Sequence, residues 1–239
     1  MTTIVSDGKF LIADHRITSA TNEYKKYGRL KTPESISVRA DNSSKIFFQE
    51  IDGVSPGVMT PKGKILAIAT TGPIKWTNFM LKVLMGSKLE KIEDAVDILK
   101  NLPDLEGRLL GITTEGWTII VQMKNIKQVV YFPPGHICVF TSMDAVDSVI
   151  SREPGKVSLV ERFLGLTHLD KTSSCSHDIF DSDTKIIKTV YPDENTINNA
   201  VKVCEKNIVF LRGDNICNLV DGKDVKGYYF SHETENMTH

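Results

Sequence analysis

The sequence predicts an α+β protein built as a four-layer αββα sandwich, with two stacked, mainly antiparallel sheets covered by helices on both outer faces. Three observations predict it. Most strand-like runs do not alternate apolar with polar residues, which is the pattern of strands buried on both faces. Helical periodicity arrives in pairs, at 76–84 with 92–99 and at 144–152 with 157–169. The order is strands, two helices, strands, two helices, strands, helix, and this needs more layers than most domains use.

Each element has its own local signal. Thr2–Ser6 and Lys9–Asp14 are two apolar or β-branched runs around Asp7-Gly8, which favours a hairpin with a type I′ turn. Ile4 and Val5 are adjacent, as are Phe10, Leu11, Ile12 and Ala13, so this hairpin belongs inside a layered structure. Residues 17–43 read as a long polar excursion. Ser44–Glu50 and Lys64–Thr70 read as strands joined by a Gly/Pro-rich loop. Trp76, Phe79, Met80, Val83 and Leu84 then recur at helical spacing between Pro73 and Gly86, and Ile92, Ala95, Val96 and Leu99 mark a second helix. Four strand-like runs follow at Arg108–Thr114, Trp117–Met123, Lys127–Phe132 and His136–Thr141. Helices are expected at 144–152 and 157–169, strands near 177–181 and 184–191, and a helix from Asp193 to Lys206 behind Pro192. Residues 1–206 read as one domain. Residues 207–239 read as a C-terminal extension of short strands with a mobile polar tail.

Composition narrows the function classes. The 239 residues carry 29 basic and 30 acidic side chains, a net charge of −1, so no electrostatic footprint for nucleic acid is present. Apolar runs such as Ile65–Ala69 are too short to span a bilayer, and no basic-then-apolar leader opens the chain, so a cytoplasmic protein without membrane contact is expected. Four cysteines without a C-x-x-C indicate neither a zinc knuckle nor a disulfide framework. His168, Asp170 and His177 are too irregularly spaced to read as a metal site, and His15 and His136 read as surface or strand residues. No metal and no organic cofactor is expected.

The chemistry concentrates at the start of the chain. Removal of Met1 makes Thr2 the N-terminal residue, and aminopeptidases remove Met readily before small residues. The hydroxyl and the α-amine then share one residue. With a reference pKa of roughly 7.7–8.0, part of that amine is neutral near pH 7 and can take the hydroxyl proton.

Thr2-Thr3-Ile4-Val5 followed by Ile12-Ala13-Asp14-His15-Arg16-Ile17-Thr18 resembles the opening of a proteasome β-subunit or its bacterial relative HslV. Asp41-Asn42-Ser43-Ser44-Lys45-Ile46 is similar to that family's segment ending in Lys-Ile, and Asp170-Lys171-Thr172-Ser173 to its D-x-x-S. The resemblance spans most of residues 2–206 and implies an N-terminal-nucleophile (Ntn) hydrolase fold. It implies Thr2 as nucleophile and Lys45 as the neighbouring cation that lowers the amine pKa. It also implies Asp14 as the partner of Lys45, and Asp170 and Ser173 as residues orienting the amine. Arg16 takes a supporting role in the hairpin. Thr70 stands where the family has the glycine whose N–H serves the oxyanion, and Ser142 stands near a serine the family carries before its third helix. The interval from Asp14 to Lys45 exceeds the family's, which keeps Lys9, Lys25 and Lys31 as alternatives. The implied activity is a threonine peptidase acting on peptide or protein substrates as a homo-oligomeric ring, and the resemblance allows an ATPase partner. The altered glycine positions and the C-terminal extension keep open a catalytically inactive, proteasome-like interaction protein, and the fold also hosts small-molecule amidases.

Overall fold

A computed structural model describes residues 2–20, 36–48, 58–72, 91–92, 94, 107–123, 127–140, 148–153, 155–169, 173–211, 215–217 and 229–231. The fold is α+β, with mostly antiparallel sheets. The first sheet holds β1 (Ile4–Ser6), β2 (Phe10–Asp14), β11 (Cys138–Phe140), β13 (His177–Asp181) and β14 (Ile186–Val190) in the order β11-β1-β2-β13-β14. The second holds β5 (Ile46–Phe48), β7 (Gly63–Thr71), β8 (Arg108–Thr113), β9 (Thr118–Met123) and β10 (Lys127–Phe132) in the order β10-β9-β8-β7-β5, with β6 (Met59–Thr60) paired to β7.

The unbroken apolar runs of β1 and β2 have a direct cause, because they have two faces to bury. Ile4, Leu11, Ala13 and Phe140 pack against Ala69, Leu110, Ile112 and Phe132 of the second sheet. Val5, Ile12 and Val139 point the other way, onto Phe163 and Leu164 of α1 (Leu159–Leu169) and Ala200 and Cys204 of α2 (Glu194–Asn207). Full burial of each large aliphatic side chain contributes about 1.5–3 kcal/mol, so both interfaces are strongly specified. On the far side of the second sheet, Ile68, Leu109, Ile119 and Val121 are buried too, so that face is covered. The helices expected at 76–84 and 92–99 lie outside the described residues apart from Ile92, which is fully buried, and Asp94.

Both described helices start as their sequences require. At α1, Ser158 Oγ accepts from Glu161 N at 3.2 Å while Glu161 Oε2 accepts from Ser158 N at 2.8 Å, a reciprocal capping box. At α2, Asp193 Oδ1 accepts from Thr196 N at 2.7 Å, directly behind Pro192.

Three expectations are corrected. The β1–β2 turn has Gly8-Lys9 at its centre, since Asp7 N donates to Phe10 O at 3.3 Å. Gly8 has φ +86° and Lys9 has no positive φ, the pattern of type II′ rather than type I′. Asp7 is drawn to the first position because its carboxylate accepts from Lys9 N and Phe10 N. Residues 17–43 are not all irregular: β3 (Ile17–Ala20) pairs with β4 (Ile36–Ala40), tied by Ser19 Oγ to Ser37 Oγ at 2.7 Å. Ile36, Val38 and Ala40 alternate with Ser37 and Arg39 in β4 while β3 has no such pattern, so only one strand of the ribbon carries a local signal. Of the helix expected at 144–152, residues 144–147 lie outside the described residues, and 148–151 form a strand instead, β12 (Ser148–Ser151), paired with β15 (Ile208–Leu211). Val149 and Ile150 suit either state, and a partner far along the chain decides between them. Past residue 206 the chain therefore returns into the body, with Ile208 in the core beneath the helices. Two further short strands, β16 (Asn215–Cys217) and β17 (Tyr229–Ser231), pair with each other. Among the described residues no helix is long and apolar enough to cross a membrane.

Candidate active site at the rim of the two sheets

Strand polarity gathers the site. The start of β1, the end of β2 and the start of β13 lie together in the first sheet, because Ile4 pairs with Ala13 and Asp14 with His177. The start of β5 and the end of β7 lie together in the second, because Ile46 pairs with Ala69. That register carries Lys45 out opposite Thr70.

Asp14 is the centre of the arrangement. Its side chain is fully buried, and it accepts four hydrogen bonds. Oδ1 takes Thr3 N at 2.9 Å and Lys45 Nζ at 2.8 Å. Oδ2 takes Arg16 N at 3.0 Å and Ser174 N at 3.3 Å. A buried carboxylate is tolerable only with such a set, since removing a charge from water costs several kcal/mol, on the order of a fold's whole margin. Lys45 Nζ also donates to Arg16 O at 2.7 Å, and the lysine side chain is 11 % exposed. Thr2 is 7 % exposed. Since the Thr3 amide and the Lys45 ammonium meet on one oxygen, the Thr2–Thr3 peptide lies beside the cation.

The remaining expected residues fall as follows. Ser173 is buried next to Thr3 and accepts from Thr3 Oγ1 at 2.9 Å, so it reaches the N-terminal segment at the third residue. Arg16 directs its side chain away, with Nε and Nη2 on the two oxygens of Asp41 at 2.6 and 3.2 Å. The Asp41 hydrogen bond raises the guanidinium pKa further. Arg16 thus fastens the hairpin, and its backbone rather than its guanidinium serves Lys45. Thr70 is buried on β7 and pairs with Leu109. Asp170 and Ser142 lie outside the described residues, as do Lys25 and Lys31. Lys9 is at the opposite end of the hairpin, ion-paired to Asp183 at 2.6 Å, and does not approach Asp14.

The sequence reading missed a buried contact between His15 and Asp178. His15, expected at a surface or in a strand, is buried, with Nε2 2.9 Å from Asp178 Oδ1. Burial alone would raise the Asp178 pKa, but hydrogen bonds from Ser44, Thr189 and His15 outweigh it and hold the carboxyl below its ordinary value. The neighbouring His177 packs on Phe163, with ring centroids 4.7 Å apart, and its Nδ1 meets Cys175 O. Burial lowers its pKa, the Cys175 carbonyl opposes this, and His15 lowers it further, so His177 is neutral at pH 7. No local pattern flags Asp178, because its partner His15 stands just past the end of a strand far earlier in the chain. Among the described residues no three His, Cys, Asp or Glu side chains converge as a metal site. The site can therefore hold a lysine ammonium, clamped by a carboxylate and a carbonyl, against the first residues of the chain.

No family model and no curated protein matches the sequence. Three solved structures are similar in shape. Anbu (Gly-1) mutant from Hyphomicrobium sp. strain MC1 is 9% identical, with 86% of this chain and 94% of that chain covered and a TM-score of 0.46. Anbu from the same strain is 10% identical over the same shares, with a TM-score of 0.45. Anbu (ancestral beta-subunit) from Yersinia bercovieri is 8% identical, again covering 86% and 94%, with a TM-score of 0.45.

Proposed function

We propose that this chain is a threonine-type N-terminal-nucleophile hydrolase of the proteasome β-subunit kind, cleaving peptide bonds once Met1 has been removed. The observation that carries the reading is the sharing of Asp14 Oδ1 by Thr3 N and Lys45 Nζ, which sets an ammonium beside a buried Thr2. A cation there disfavours protonation of the Thr2 amine and keeps more of it basic. The amine takes the Thr2 hydroxyl proton as Oγ1 adds to the peptide carbonyl carbon. The C–N bond then breaks, the departing amine takes the proton, and an ester on Thr2 remains. Water hydrolyses the ester and restores the hydroxyl. The backbone N–H of Thr70 is the proposed donor to the developing oxyanion. The protein works in the cytoplasm as a homo-oligomeric ring on peptide or protein substrates.

The test compares the parent with Thr2→Ala for casein cleavage and for labelling by an epoxyketone-type probe. Cleavage and labelling in the parent only are expected, and equal behaviour of the two defeats the reading. A second reading is an inactive, proteasome-like interaction protein. Thr70 favours it, a side-chain-bearing residue buried where the oxyanion donor is expected to be a glycine. Intact mass separates the two: retained Met1 blocks the amine and supports the inactive form.

A further inference from the structure

The proposed chemistry uses Thr2, Asp14 and Lys45 and leaves the His15–Asp178 pair without a role. Both side chains are 3 % exposed, 2.9 Å apart. Burying such a pair costs desolvation that its own attraction often fails to recover. Its position supplies the reason for it. His15 stands in the chain between Asp14 and Arg16, and these two neighbours provide two acceptors of the Lys45 ammonium, Asp14 Oδ1 and Arg16 O. At the other end of the pair, Asp178 accepts Thr189 Oγ1 at 2.7 Å, which fixes it to β14. The His15 backbone adds two ties: its carbonyl accepts Ser43 N at 3.1 Å, and its N–H donates to Ser176 O at 3.1 Å. The carboxylate thus holds His15 by its ring, and His15 in turn holds, by its carbonyl, the segment that carries the ammonium. His15 Nδ1 has no hydrogen-bond partner among the described residues, so Asp178 is the ring's polar engagement there.

We propose that His15 and Asp178 are positioning residues for Lys45, a buried brace that fixes where its ammonium stands relative to Asp14 and the start of the chain. This rests on the reading of Lys45 as the cation that tunes Thr2, but its test reads the ammonium directly. In the full-length protein with 15N-labelled lysine, the side-chain ammonium of Lys45 is assigned by its loss in Lys45→Arg, and its proton exchange is measured. In the parent the clamped ammonium gives a slowly exchanging signal. Asp178→Asn removes a charge-assisted contact and is expected to speed that exchange about tenfold. Thr189→Val, which removes a hydrogen bond that fixes Asp178, acts in the same direction to a smaller extent. His15→Gln, which keeps a donor toward Asp178, is expected to be milder than His15→Ala. Unchanged exchange in a folded Asp178→Asn protein overturns the proposal, as does a parent without a slow Lys45 signal. If Asp178→Asn does not fold, unchanged exchange in Thr189→Val overturns it. A Lys45 signal that depends on the brace in a protein whose Thr2 is inert would sink the hydrolase reading and leave the brace standing.

Discussion

Replacing Asp14 by Asn isolates the physics of the rim. The substitution keeps the shape and exchanges one acceptor oxygen for an NH2 that can only donate. Asp14 receives two donors on each oxygen: Thr3 N and Lys45 Nζ on Oδ1, Arg16 N and Ser174 N on Oδ2. The NH2 will turn from the ammonium and face Arg16 N and Ser174 N, leaving two buried amides unsatisfied. Each costs about 1–3 kcal/mol, less for the long Ser174 contact, and Lys45 also loses its counter-charge. The expected destabilisation is therefore about 3–5 kcal/mol, the range for breaking a buried pair by neutralising one partner. That is a large part of a domain's usual margin of about 5–15 kcal/mol. The assay is urea unfolding of parent and variant, read as a lower midpoint at unchanged slope. Adding Lys45→Met should recover part of the loss, because the uncompensated charge is gone. A loss below about 1 kcal/mol for Asp14→Asn, outside the range for breaking such a pair, would refute the reasoning.

Three further outcomes are expected. Gly8→Ala should destabilise by more than about 1 kcal/mol: φ is +86° and the added Cβ would run into the backbone of Gly116, so melting should drop while Gly135→Ala, whose Cβ meets nothing, costs less. His177 has a folded pKa held below its ordinary value by burial, so its contribution is present above the unfolded pKa and is lost as pH falls through the folded one. Urea midpoints should fall across that window in the parent and stay flatter in His177→Phe; equal slopes would contradict this. The Asp193 carboxyl is held below its ordinary value chiefly by the Thr196 backbone N–H, so the first turn of α2 should loosen as pH falls through that lowered value. Amide exchange at Thr196 reads the loosening, and Asp193→Ala should show fast exchange at every pH.

The rim shows how far neighbouring residues can speak for themselves. Asp14 and Lys45 could be picked out because they belong to short strings tied to the chain start and to a strand start, and the hairpin that brings Asp14 to Thr3 is local. Ser173 is expected to orient the Thr2 amine, and its hydroxyl accepts from Thr3 Oγ1 in the same N-terminal segment. His15 was passed over because a histidine after a strand has many bland explanations. Its burial depends on Asp178, which β13 brings from far along the chain.

The sequence by itself determined the doubly buried hairpin, the strand-rich second sheet and the helices near 157–169 and 193–206. Those features follow from side-chain pattern and capping over a few residues. Tertiary structure alone decided that 148–151 is a strand, that 17–20 pairs with 36–40, and that a buried His15–Asp178 contact stands behind the Asp14–Lys45 pair. In each case the deciding partner lies far along the chain, and its hydrogen bonds exist only once the layers have closed.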